Sequence, residues 1–257
     1  MSLRDELLSP IAGANPGGVD LRYDPIYDKI KEARREDDDA PQGEWTTARK
    51  VADWPIVIKL TKEALASKSK DIQLAAWLTE ALLRREGFGG LYAGLDVLSG
   101  LVEQHWDHLF PEIDDGDAEM RAAPLEWIGL KLDFPVRMVP LDKSGLSSVQ
   151  HAEARLVPTE AAAAENEAAA STRRTAVANN KTTPEVIEQA FMATPKAWLK
   201  ALVADIERSL TALKTLDEMS SEKFGDVAPS YSRLRDAIAD VQRIAAQQLK
   251  HKLEIEP

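Results

Sequence analysis

Five carboxylates fall within residues 112–119: Glu112, Asp114, Asp115, Asp117 and Glu119. A cluster of this kind is where a divalent cation or an acid/base pair would sit. Its spacing does not match a calcium loop, because Gly116 stands in the wrong place and no run of alternating oxygen ligands surrounds it. The segment reads as a solvated loop leading into a helix capped by Asp117. A metal-dependent hydrolase using these carboxylates is kept as the enzyme alternative. His105 and His108, three residues apart beside Asp107, would supply two zinc ligands, and no third is evident where such sites need three or four. No G-x-S-x-G elbow is present. The glycines at 87, 89, 90 and 94 are followed by no Lys-Ser/Thr and read as a helix stop and a close helix–helix approach, not a phosphate loop. The chain has no cysteine, so thiolate chemistry and disulfides are excluded together. No catalytic, metal or cofactor site is expected.

What remains is binding. Arg34 and Arg35, next to Glu36, form either a charged face for a partner or an ordinary exposed helix face. Trp45 stands in the polar, turn-rich stretch Pro41-Gln42-Gly43-Glu44, where it closes a loop over the domain or anchors a partner. Net charge is −11 over 257 residues, and residues 1–145 carry 18 Lys/Arg against 27 Asp/Glu, which places −9 of it there. That field disfavours a phosphate backbone, and no basic stripe overrides it, so nucleic acid is not an expected partner. The first residues lack the basic and apolar regions of a signal peptide, and no stretch approaches the roughly 18 apolar residues of a membrane span. A soluble cytoplasmic protein without direct membrane insertion is the expectation.

The elements that carry these residues are helices. Asn15-Pro16-Gly17-Gly18 ends a short helix over residues 3–9. Asp24-Pro25 fits an N-cap with proline in the first turn, and Ile26, Ile30 and Ala33 follow at helical spacing. Asp53 caps the next helix, whose stripe includes Trp54, Val57, Thr61, Ala64 and Leu65. Residues 71–86 are apolar around much of the helix, the mark of a central position, and Gly87 stops it. A fourth helix from Gly90 to Trp106 turns Leu91, Leu95, Leu98 and Val102 inward. A fifth is expected to be interrupted at Pro124 and to end near Pro135. No stretch alternates with period two for long enough to be a strand.

Residues 146–182 are rich in alanine and poor in large apolar side chains, and they read as a linker. Residues 183–257 read as a short helix and two long antiparallel ones. Their stripes, Leu199, Leu202 and Ile206 on one helix and Leu234, Ile238 and Val241 on the other, are expected to form an oligomer interface, because so thin a core often needs a second copy. The domains expected are thus 1–145, 146–182 and 183–257, in an all-α chain.

The order NPGGVDLRYDPIYDKIKEARREDDD (15–39), QGEW (42–45), ADW (52–54) and SKDIQLAAWLTEALLRREGFGGLYAGLDVLSGLVEQHWDHLFPEIDDGD (69–117) resembles the N-terminal domain of the ImpA/TssA family of type VI secretion. The resemblance covers about residues 10–140. It implies a non-enzymatic scaffold that binds baseplate, sheath and tube proteins, guides their assembly, and forms a homo-oligomer of at least two copies. In that family a further C-terminal domain usually builds a ring; since the chain stops soon after one helical unit, it is expected to be a fragment ending before that domain.

Overall fold

The computed structural model describes residues 2–37 and 49–256, and no strand is formed among them. Two compact units divide the chain: Met1–Leu130 with Ala212–Tyr231, and Lys131–Thr211 with Ser232–Pro257.

The first unit begins with α1 (Leu3–Leu8), held by a reciprocal capping box between Ser2 and Asp5. In α2 (Pro25–Arg34) the Asp24 carboxylate accepts the Ile26 N–H, and Pro25 occupies the first turn, where its missing N–H costs nothing. Helix α3 (Trp54–Ser67) starts the same way from Asp53 and Pro55. The central element is α4 (Ile72–Gln104), in which Gly87 alone leaves helical geometry, at φ 63°. That single left-handed residue folds α4 into an antiparallel hairpin, with arms over 72–86 and 88–104. A methyl placed on Gly94 would stand 2.7 Å from the Thr79 Cα, so the arms touch backbone to backbone. Leu74, Leu78, Leu91 and Leu95 fill the seam and are fully buried, with Val57 and Leu65 of α3.

Helix α5 (Glu119–Lys131) runs straight through the expected break. Pro124 lies inside it, buried, in the second turn, and removes the one hydrogen bond that an N–H there would give to the Met120 carbonyl.

In the second unit α6 (Asp133–Arg137) and α12 (Ser232–Ile255) are joined by two ion pairs, Arg137–Asp240 at 2.9 Å and Arg233–Asp133 at 2.6 Å. Between them in sequence come α7 (Ser148–Ala154), α8 (Glu160–Glu165), α9 (Glu167–Ala178), α10 (Pro184–Ala193) and α11 (Lys196–Phe224). Helices α11 and α12 are antiparallel: the Lys196 ammonium at the start of one donates to the Glu256 carbonyl beyond the end of the other, at 2.5 Å.

The 146–182 stretch therefore differs from the linker expected of it. Ser147, Thr159 and Asn166 cap three helices in succession, and Ala154, Val157 and Ala176 are buried. Arg173 ties the end of the stretch back to the Pro158 carbonyl and to Glu185. Caps and one arginine supply what large apolar side chains do not. The expected boundaries at 145/146 and 182/183 do not coincide with the edges of the two compact units.

Candidate protein-binding surface

The stretch from Asn15 into the first turn of α2 at Tyr27 is held at several points by backbone contacts and buried side chains. Asn15 turns the chain by accepting the Gly17 N–H at 2.9 Å. Gly17 and Gly18 then pass so close to neighbouring backbone that a methyl group would lie 2.0 Å from the His108 carbonyl oxygen and 2.1 Å from that of Lys68. Gly18 also sits at φ 81°, the left-handed region. The Val19 N–H donates to Lys68 and the Lys70 N–H donates to Gly17, so the loop is pinned on both sides. Leu21 is buried, Asp24 caps α2, and the Tyr27 hydroxyl donates to the Asp71 carboxylate.

Beneath the loop lies a polar knot. Asp71 also accepts the N–H groups of Gln73 and Leu74, which makes it the cap of α4. Burial pushes its carboxyl up to about 6, against the pull of those bonds. Beside it the fully buried Lys70 ammonium donates to the carbonyls of Leu7 and Leu65, each at 2.7 Å, so it closes the last turns of α1 and α3 together. Burial lowers Lys70 to about 8.

Two side chains of the loop face outward with no folding task of their own. Val19 is 60% exposed and Tyr23 is 92% exposed. The Arg22 guanidinium, paired to Asp20 at 2.9 Å, stands 5.8 Å from the Tyr23 ring centroid. A rigid backbone thus holds an aromatic ring and a cation in solvent, the preorganised form of a contact anchor. Sequence reading passed over Tyr23; its signal is an aromatic immediately before a cap, off the apolar stripe of the helix that follows.

The residues singled out from sequence fall in several settings. Arg34 points inward: both its bonds go to the Glu80 carboxylate, at 2.8 and 2.6 Å, and its guanidinium lies 5.2 Å from the rings of Trp77 and of Trp127. It clamps α2, α4 and α5, with its charge met by a nearly buried carboxylate and 19% of its side chain exposed. Arg35 is exposed and pairs with Glu32 and Asp37. Trp45 lies outside the described residues. The expected oligomer stripe, Leu199, Leu202, Ile206, Leu234, Ile238 and Val241, is buried within the chain's own second unit. The stripe was read correctly as apolar, but the chain itself covers it.

The acidic group resolves into a turn. Asp114 and Asp117 exchange backbone hydrogen bonds around Asp115 and Gly116, both at positive φ, and Asp117 accepts the Glu119 N–H at 2.8 Å. All five carboxylates are exposed, and among the described residues no three His, Cys, Asp or Glu could hold a metal ion. The metal-enzyme alternative finds no support in this geometry. His105 is buried with its Nε2 against the Leu8 carbonyl at 2.8 Å, and burial lowers its pKa.

Comparison with known proteins bears on the same segment. The family model described as "ImpA, N-terminal, type VI secretion system" matches residues 8–129. The solved N-terminal domain, including the conserved ImpA_N region, of the TssA component of the type VI secretion system from Burkholderia cenocepacia superposes with a TM-score of 0.84 at 31% identity, covering 98% of this chain and 96% of that one. The chain belongs to the TssA family. A curated relative, the type VI secretion system component TssA1 of Pseudomonas aeruginosa, is 29% identical over 111 residues. That match spans 43% of this chain and 32% of TssA1. The TssA-family resemblance read from residues 15–117 thus holds, and in this TssA-family chain the 15–27 loop lies wholly within the matched region.

Proposed function

We propose that this chain is a docking module of a type VI secretion scaffold, working in the cytoplasm by holding baseplate, sheath or tube proteins rather than by catalysis. The observation that supports the reading is the loop of residues 15–27: its backbone is pinned at Gly17, Gly18 and Val19 against Lys68 and Lys70, and Val19, Arg22 and Tyr23 are left exposed to face a partner. Membership of the TssA family supplies the context, and no helix among the described residues is long and apolar enough to cross a membrane. Self-association, which multiplies docking sites without new contacts, is assigned to surfaces other than the buried stripes of α11 and α12.

The test is capture of purified baseplate, sheath and tube proteins by the full chain, with Tyr23→Ala as the probe. Losing a central anchor of this kind costs on the order of 2 kcal/mol or more in binding. Capture should fall at least tenfold, by about 1.4 kcal/mol per decade, while the melting temperature stays put. Undiminished capture by Tyr23→Ala would count against this surface, and capture of none of the three by the parent chain would count against the scaffold role.

A further inference from the structure

The second unit holds a groove of about 410 Å³, open to solvent, between α7, α10 and α12. Ile244, Gln247, Gln248, His251 and Glu254 share one face of α12 along it, since they recur at three- and four-residue spacing. Three features of its walls are chemical rather than merely concave. The His251 ring is exposed and stacks on the buried Phe191 ring, with centroids 4.9 Å apart and planes within 12°, so its outer face is a flat platform. The Gln248 Oε1 has no hydrogen-bond partner among the described residues, although its Nε2 meets the His151 Nε2 at 3.3 Å. Burial holds His151 below its ordinary pKa, which favours the neutral ring beside that amide. Around the rim stand two cations, Arg155 and Lys250, and two anions, Glu188 and Glu254.

An acceptor left without a donor is a cost that a ligand can remove. The terminal torsion of a glutamine is soft, so a donor entering the groove draws Oε1 toward it in exchange for one long amide contact. The platform asks for a flat ring, and the lone acceptor asks for an N–H on that ring. Indole has both and donates only. A rim of mixed sign, open on the solvent side, suits a ring carried on a polypeptide with charged neighbours better than a free small molecule, which would favour an enclosed apolar cavity.

We infer that this groove is a second docking site, which receives a tryptophan side chain of a partner polypeptide flanked by charged residues. The ring lies on His251 and its N–H donates to Gln248. The inference rests on the scaffold reading only in naming a polypeptide as the occupant, and it concerns other residues than the 15–27 loop.

The test is an NMR titration of the full chain with acetyl-Lys-Trp-Glu-amide, its phenylalanine counterpart, and free indole. The tryptophan peptide should move the amide signals of His151, Phe191, Gln248 and His251 together and bind at least about tenfold tighter than the phenylalanine peptide, which lacks the donor. Gln248→Leu should erase that preference. His251→Ala, an exposed position that leaves the fold's core alone, should weaken both peptides, with dispersed spectra confirming that each variant is folded. Equal affinity for the two peptides, or no response at these residues, overturns the proposal. Indole binding as tightly as the peptide would make this a small-molecule site, and signals at these residues that shift with protein concentration alone would seat a second copy there; either result overturns it too. Failure here leaves capture through Tyr23 unaffected, so the two readings are separable.

Discussion

Each unit buries a lysine against the end of a helix, and the two lysines keep different company. Lys70 in the first unit donates to the last-turn carbonyls of α1 and α3, at 2.7 Å each. Lys252 in the second donates to the last turn of α10, at 3.0 Å to Met192 and 3.5 Å to Phe191, and also pairs with the half-exposed Glu256 at 2.8 Å and sits 5.2 Å from the Phe191 ring. Both exploit the negative end of a helix, where a cation is favoured. The first is compensated by peptide oxygens in the interior and draws two helices into one knot. The second is compensated in part by a carboxylate at the surface. Lys70 thus holds two helices together through uncharged acceptors, and Lys252 holds one helix end with the help of a formal counter-charge.

The largest effect expected is from Lys70→Met, which strands two interior carbonyls and should lower unfolding stability by about 3 kcal/mol. Lys252→Met should cost about half as much, since one of its bonds is long and the site is nearer water. Urea unfolding followed by hydrogen exchange, read separately over residues 3–8 and 184–193, distinguishes them. Equal costs would break the contrast.

The next effect is on pH dependence. Lys70 has a folded pKa of about 8, below its value near 10.4 in an unfolded chain, so between those values the unfolded state binds more protons and stability rises with pH. The gain should reach about 2 kcal/mol by pH 10 and vanish in Lys70→Met. A flat profile in the parent chain would show that the two carbonyls hold the ammonium charged as firmly as water does.

Tyr27→Phe should cost about 1.5 kcal/mol by removing one of the three donors to Asp71. Asp71 is raised in the fold to about 6, so its contribution is complete below pH 4 and lost as pH climbs through 6. Taking away the tyrosine should make that decline steeper, which chemical denaturation at pH 4 and pH 7 will measure. Smallest is Glu256→Gln, expected to cost no more than about 0.5 kcal/mol because its side chain is 46% exposed. A larger loss would mean that Lys252 depends on a formal counter-charge after all.

Much of the fold was legible because its signals are local. Asp24, Asp53 and Asp71 announce helix starts, Gly87 announces a reversal, and the Leu91, Leu95, Leu98 and Val102 stripe names its own buried face. The residues that failed did so where the partner is remote. Lys70, in the run Ser67-Lys68-Ser69-Lys70, carries no local mark of burial, and its ammonium is met by carbonyls of α1 and α3. Arg34 looks like a surface cation until Trp77, Glu80 and Trp127 close around it. Residues 146–182 look unable to order themselves, since caps and a single arginine carry no hydrophobic signature.

The amino-acid sequence by itself decided that this chain would be helical, where most of its helices begin, which faces must leave water and to which family it belongs, because caps, periodicity and motif order act over a few residues. Tertiary structure alone decided what covers each apolar face and which polar side chains stay outside. Leu199 and Ile238 meet their own chain instead of a second copy, Arg34 turns in, and Tyr23 is left in solvent. Burial and compensation are properties of distant groups brought together, and no run of neighbours encodes them.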